Sequence, residues 1–397
     1  MKKFNIKRFI KLFYSFLSSK KSFKIPNKKD ILIYDNANSY VIKSYINNIS
    51  YHILYTRWEY INVSCLFLSI FNSSFWQFNF AKAYEDTIIR FVKPKIAITL
   101  MDNNKNFYRL SDDYENLITI SIQNGWRNQN DIFFSPTNKN KLKVDYLLVF
   151  GSGIAKKYRN VIKGKIIVAG SIKNNHINEI EDKFKYDSNN ILFISSYRFN
   201  SGNVILYDDS GLPINWHDFY KYELQLIHWL SEWCLINKKK LIICPRYQNN
   251  NLGEYSWYKK ILQKIKVDWE FYPKNNPYSS YQAIEKSDII VSTPSTLGYE
   301  ALSRGKKTAF LITRGELIGN KSLRFGWPLN FSDTGHFWSN KPNKNEFSRV
   351  MNYLNTISEE DWKLLWSRYK DNLIYFEKGN YKFRQIIDNI RANNNIK

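Results

Sequence analysis

A chain of 397 residues with 44% hydrophobic and 17% aromatic content can bury two medium cores and is not a disordered polymer. Three separated cysteines (Cys65, Cys234, Cys244) and five scattered histidines exclude a disulfide framework, a zinc-finger spacing and a histidine metal cluster. Lys and Arg number 59 against 35 acids, and the formal charge of +24 points to nucleic acid, a membrane surface or acidic substrates.

The charge is densest at the start. Residues 1–29 hold ten Lys or Arg and no acid, and Ile6, Phe9, Ile10, Phe13 and Leu17 recur at helical spacing. This predicts a basic amphipathic segment, residues 1–28, that binds an anionic membrane surface through residues 1–25. Charges interrupt the apolar stretch, so it does not read as a signal peptide. No run reaches the roughly 18 apolar residues that a membrane span needs. The expected location is cytoplasmic, peripheral on the inner face of the cell membrane.

Strand-like runs then alternate with helical patterns, which predicts parallel sheets covered by helices. The first domain, residues 29–173, is expected to hold strands at Asp30–Tyr34, His52–Thr56, Lys95–Leu100, Leu117–Ile122, Tyr146–Phe150 and Lys165–Val168, with a helix over Phe75–Val92. A polar stretch at 174–190 reads as the linker. The second domain, 191–378, is expected to hold strands at Ile191–Ser195, Leu241–Cys244, Trp269–Tyr272, Asp288–Ser292 and Thr308–Ile312. Its helices are placed at Phe219–Leu235, Tyr255–Ile265, Tyr281–Lys286, Leu297–Ser303, Glu346–Asn355 and Glu359–Phe376. A last helix near Phe383–Arg391, within residues 379–397, is expected to pack back on the first domain.

Two such α/β domains imply a cleft, with ligands beyond the carboxyl ends of the strands. The segment Ser292-Thr293-Pro294-Ser295-Thr296 joins a buried strand to a helix start, an arrangement whose free N–H groups and dipole favour phosphate. Ser-Thr there also fits an ordinary N-cap. Glu300 lies one turn on and is placed to meet a sugar hydroxyl of a nucleotide. Ser195 and Arg198 follow another strand, and Pro245 and Arg246 a third. Arg246 is the candidate to neutralise a departing phosphate. In the first domain Asp102 and Asn103 follow one strand, and Gln123, Asn124 and Arg127 another. The amides suit a donor or acceptor sugar. The general base is a choice among Asp35, Glu59 and Asp102, with Asp102 favoured. Tyr207-Asp208-Asp209-Ser210-Gly211 mimics a metal pair but reads as a hairpin turn. No P-loop, full dinucleotide fingerprint or RNA-binding signature is present, so neither a metal, a resident cofactor nor nucleic acid is expected.

Asp102-Asn103-Asn104, Ile122-Gln123-Asn124-Gly125-Trp126-Arg127, Phe150 to Tyr158, Gly170-Ser171, Pro245-Arg246 and Ser292 through Glu300 together resemble bacterial surface-carbohydrate (capsule or O-antigen) biosynthesis proteins of the GT-B glycosyltransferase type, over about residues 30–385. The chain is also distantly similar to transferases of CMP-activated acidic sugars such as sialic acid, pseudaminic acid or Kdo. In those enzymes a Ser-Ser/Thr pair holds the CMP phosphate, and Ser295-Thr296 would match it. Where they carry His-Pro after a strand, this chain has Cys244-Pro245-Arg246. The resemblance implies a GT-B fold, two Rossmann-like domains facing a central cleft. It also implies an inverting, metal-independent transfer from a nucleotide-sugar donor to a lipid-linked or polysaccharide acceptor. A nucleoside-diphosphate-sugar donor, a polyol-phosphate transfer, and a non-catalytic assembly protein are the other readings.

Overall fold

The structure is a computed structural model that describes residues 14, 16–46, 49–134, 142–176, 186–199, 202, 204–248 and 253–394. The amphipathic positions Ile6, Phe9, Ile10 and Phe13, and residues 177–185 of the expected linker, lie outside the described residues.

Six strands form the first sheet: β1 (Ile31–Tyr34), β2 (Tyr51–Leu54), β3 (Ile96–Thr99), β4 (Ile118–Ile122), β5 (Leu142–Val149) and β6 (Ile162–Val168). All pairs are parallel, in the order β2-β1-β3-β4-β5-β6. Every side chain of β1 and β3 is buried, as a strand covered on both faces requires. Helix α1 (Phe80–Val92) covers one face with Tyr84, Ile88, Ile89 and Val92.

The second sheet contains β7 (Asp187–Ile194), β8 (Lys240–Cys244), β9 (Trp269–Phe271), β10 (Ser287–Ser292), β11 (Lys307–Leu311), β12 (Thr334–Gly335) and β13 (Trp338–Ser339). Their order is β9-β8-β7-β10-β11-β13-β12, parallel except for the β12–β13 hairpin at one edge. Helices α2 (Trp216–Ile236), α3 (Glu254–Leu262), α4 (Ser279–Lys286) and α5 (Thr296–Ser303) pack on it. Strand β7 starts at Asp187, inside the stretch read as linker.

The last helix, α6 (Tyr381–Asn393), returns to the first sheet. Phe383, Ile387 and Ile390 are buried there beside Val41, Ile42 and Ile98. Burying each such side chain contributes about 1.5–3 kcal/mol, so chain end and first domain are one packing unit.

Some boundaries differ from expectation. The helix predicted over Phe75–Val92 is two helices, Ser73–Trp76 and α1, separated where Phe78 takes φ 57°. Glu359–Phe376 likewise divides into Glu359–Ser367 and Lys370–Leu373. A short strand at Tyr60–Asn62, paired in parallel with Lys20–Ser22, had no sequence signal. The Tyr207–Gly211 turn does belong to a small antiparallel ribbon, Leu206–Tyr207 with Pro213–Ile214.

In both sheets the strand order reverses beside the first strand, between β1 and β3 and between β7 and β10. A crevice opens at the carboxyl ends at each reversal. These two crevices set the position of the site.

Candidate functional site

A cavity of about 480 Å³ lies between the domains. The second domain lines it with Ser195 and Ser196 after β7, Pro245 and Arg246 after β8, Lys274 after β9, and Pro294 to Leu297 with Glu300 after β10. Asn38, Asn124 and Lys173 of the first domain face them. A second cavity of about 320 Å³ adjoins it and shares Ser196, Arg246, Pro294 and Thr296. Trp126, Arg127, Arg198 and Arg314 are among its other walls.

The Gln123–Arg127 turn and the Ser292–Glu300 segment touch each other. The Trp126 backbone N–H donates to Thr296 Oγ1 at 2.8 Å, and the Trp126 ring stacks on Tyr299 with centroids 3.8 Å apart. Such a stack adds about 0.5–1.5 kcal/mol beyond area burial. Ser171 Oγ donates to Glu300 Oε1 at 2.5 Å, and Asn174 Nδ2 to Ser303 Oγ at 3.0 Å, so α5 is tied to the first domain along its length. Gly298 in that helix has a steric reason: a Cβ there would lie 2.3 Å from Ser292 Oγ.

Ser295 occupies the N-cap position of α5 in extended conformation, yet its side chain makes no cap hydrogen bond. Ser295, Thr296 and Leu297 line the cavity, so the helix starts at its wall without the ordinary capping contact. Lys274 Nζ donates to the Arg246 carbonyl at 2.7 Å and fixes that loop. Burial pushes the Lys274 ammonium below its ordinary range, with Lys173 and Arg246 adding repulsion and Cys244 and Glu254 opposing it. Three cations thus converge on one cavity, with Glu300 the carboxylate among the described residues that line it. Burial raises the Glu300 carboxyl against the stabilising contacts of Ser171, Lys173 and Tyr281.

Glu254, buried at the start of α3, organises two of the loops. Its carboxylate accepts from Ser195 Oγ at 2.5 Å, from the Arg246 N–H at 2.9 Å and from the Tyr247 N–H at 3.0 Å. A carboxylate accepting several hydrogen bonds is the way a buried charge is held in place.

Several expected site residues are placed elsewhere. Asp102 is fully buried and lines neither cavity. It accepts from Arg127, whose Nε lies at 3.2 Å and whose Nη2 is closer, and from the Asn124 N–H at 3.2 Å. Burial lifts its carboxyl to about 6, while Arg127 pulls the other way. With three N–H donors on it, the group is an internal ion pair that holds the Gln123–Arg127 turn, and a base must reach substrate. Asp35 is also spent internally, on the Ala37 N–H, Thr56 Oγ1 and Arg57 Nε. Glu59 is exposed outside both cavities. Ser292 and Thr293 are buried under α5 and line neither cavity. Asn103 donates to Asp131, and Gln123 bonds Phe150 and Gly125, so both support the first-domain turns. Asn124 and Arg127 do reach a cavity wall, one in each.

The sequence reading missed Lys173, Lys274, Glu254 and Arg314. Lys274 had a signal, because Tyr272-Pro273-Lys274 repeats the strand-Pro-cation pattern of Cys244-Pro245-Arg246. Lys173 follows Gly170-Ser171 by two residues. Glu254 and Arg314 had none, since their roles come from neighbours remote in sequence.

No curated protein matches the chain significantly. Solved structures do match in shape. The wall teichoic acid polymerase TagF soaked with CDPG superposes at TM-score 0.52 and 13% identity, covering 99% of this chain and 99% of that one. The UDP-GlcNAc 2-epimerase of Methanocaldococcus jannaschii, in complex with UDP-GlcNAc and UDP, gives 0.54 at 11% identity, covering 90% and 99%. The Neisseria meningitidis UDP-GlcNAc 2-epimerase bound to UDP-GlcNAc gives 0.52 at 14%, covering 91% and 99%. At these identities the likeness shows the fold alone, and that fold is GT-B. Residues 120–391, more than half of the chain, match the family described as "putative O-antigen biosynthesis protein", and the chain belongs to that family.

Proposed function

We propose that this chain is an inverting, metal-independent glycosyltransferase of surface-carbohydrate assembly, which moves an acidic sugar, a nonulosonate or Kdo, from a CMP donor to a lipid-linked or polysaccharide acceptor. One observation carries the reading: Arg246, Lys274 and Lys173 converge with the uncapped start of α5 on one cavity between the domains. That is a site for a phosphate, and its charge comes from the chain's own cations.

The acceptor hydroxyl oxygen attacks the anomeric carbon, its proton passes to solvent, and the bond from that carbon to the phosphate oxygen breaks. The phosphate departs with the electron pair toward Arg246, Ser295 and Thr296. Charge stabilisation of this leaving group supplies most of the rate. Glu300, which lines the cavity while its carboxylate accepts from Ser171 and Tyr281, meets a sugar hydroxyl of the nucleotide, and the fully buried Asp102 is not the base.

A nucleoside-diphosphate-sugar donor is the second reading, favoured by the presence of UDP-GlcNAc in similarly folded epimerases. Thermal-shift measurement with CMP, CDP, UDP and GDP separates the two, because a ligand of the native state raises apparent stability by mass action. CMP is expected to give the largest shift. A larger shift with a diphosphate selects the second reading, and no shift with any nucleotide overturns both in favour of a non-catalytic assembly protein.

A lipid-linked acceptor calls for contact with a membrane. Among the described residues no helix is long and apolar enough to cross one. Phe67, Phe71 and Trp76 are, however, exposed by 67%, 83% and 70%, beside the Tyr60–Asn62 strand that pairs with Lys20–Ser22. Lys20 and Lys21 thus pair with a strand that runs directly into this exposed aromatic stretch, the composition of an interfacial anchor. A variant lacking residues 1–18 and carrying Phe71→Ser and Trp76→Ser is expected to lose flotation with anionic liposomes. Unchanged flotation overturns the membrane reading.

A further inference from the structure

The 320 Å³ cavity beside the cleft has a different chemistry. Four arginines line it: Arg127, Arg198, Arg246 and Arg314. Two are neutralised within the protein, Arg127 by Asp102 and Arg314 by Glu223. The other two are not. Among the described residues no carboxylate forms an ion pair with Arg198 or Arg246, and burial depresses Arg198, with repulsion from the Arg246 guanidinium adding to it. Two like charges held at one partly enclosed wall cost free energy unless an anion sits between them.

The hydrogen-bond inventory agrees. Three residues of the wall each keep a buried N–H without an acceptor: Arg198 Nε, Arg314 Nε and Trp126 Nε1. Arg314 is 97% buried by residue and lies over the Phe219 ring at 4.0 Å, so its fork is fixed in place before any ligand arrives. The remaining polar lining is made of amides and hydroxyls such as Asn128, Asn130 and Ser322, and among the described residues no carboxylate lines the cavity. A wall with surplus donors and surplus positive charge is complementary to a carboxylate or phosphate, which accept in the planar or forked geometry that guanidinium offers.

We infer that this cavity is a second anion subsite, which holds a carboxylate or phosphate substituent of the transferred sugar or of the acceptor while the leaving phosphate occupies the neighbouring cleft. The inference rests on the reading of that cleft as the nucleotide site. Arg246 belongs to both cavities and stands between the two negative charges. Arg198 belongs only to the second, and it selects for charge on the substrate rather than for the nucleotide.

Isothermal titration of the full-length chain with glucuronate, glycerol 3-phosphate and uncharged glucose tests this, each probe with and without saturating CMP. Wild type is expected to bind at least one anionic probe tenfold or more tightly than glucose, with affinity falling as salt rises. A preference for glucuronate assigns the substituent to a carboxylate, and a preference for glycerol 3-phosphate assigns it to a phosphate. Arg198→Gln is expected to lose at least tenfold of the anionic affinity while keeping the nucleotide-induced thermal shift, and Arg198→Lys to recover part of it. Arg198→Lys replaces the Gln variant as the readout should the latter fail to fold. Equal binding of charged and neutral probes by wild type overturns the subsite. So does wild-type affinity in the Arg198 variant, or displacement of the anionic probe by CDP but not by CMP. Anion binding without any nucleotide shift instead overturns the donor reading and leaves the subsite standing.

Discussion

The two domains share an architecture but use their strand ends differently. Both sheets reverse their strand order beside the first strand, and both aim that reversal at the same cleft. At the first-domain crevice the charged groups satisfy one another: Asp35 with Arg57, Asp102 with Arg127. What this domain presents to the cleft is mostly neutral amide, Asn38 and Asn124, plus Lys173. At the second-domain crevice Glu254 and Glu223 are spent on hydroxyls, backbone N–H groups and Arg314, which leaves Arg246, Arg198 and Lys274 without an ion-paired carboxylate among the described residues. The charges that matter for a ligand are those the fold leaves unpaired, and they lie almost entirely on one side.

Three experiments break or sharpen that contrast. The largest effect belongs to the paired side. Asp102→Asn leaves the Arg127 guanidinium buried without its counter-charge and is expected to cost about 3–5 kcal/mol of folding stability. Adding Arg127→Met should recover part of the loss, and denaturant melts of both variants measure it. A melt of the single variant that matches wild type would show that the pair is not a structural one.

The unpaired side should behave in the opposite way. Arg246→Ala is expected to fold normally and to lower transfer well over tenfold, since removing one charge contact of this kind costs roughly 3 kcal/mol at the transition state. Single-turnover kinetics beside a thermal melt gives both numbers. Full activity would remove Arg246 from the leaving-group site.

The smallest effect concerns pH. On the proposed function Lys274 meets the phosphate as its ammonium, and burial has lowered its pKa, so the cation is complete at low pH and is lost as pH rises through that lowered value. Nucleotide affinity should therefore weaken on the alkaline side. Lys274→Arg should keep its affinity there, because a guanidinium does not titrate in that range. Parallel pH profiles of nucleotide binding that coincide for the two proteins would exclude Lys274 from phosphate contact.

Much of the fold was legible in the chain. Buried parallel strands read as unbroken apolar runs, and Asp30–Tyr34, Leu241–Cys244 and Asp288–Ser292 are strands for that reason. Breaks inside helices were not legible, because the left-handed turn falls at Phe78, neither a glycine nor a proline. The cleft residues that directly follow strands, Ser195, Pro245, Arg246 and Ser295, were found by position. Asp102 was misread for the same reason: it also follows a strand, and only the fold of the Gln123–Arg127 turn reveals the arginine above it.

Sequence alone determined the alternation of strands and helices, the places where loops leave the sheets, and the excess of positive charge. Those properties depend on local side-chain period and on composition. Tertiary structure alone decided which cations stay unpaired, that Trp126 stacks on Tyr299, and that Ser171 reaches Glu300, 129 residues away. Pairing and burial depend on what lies across space, and a local pattern in the chain does not carry that information.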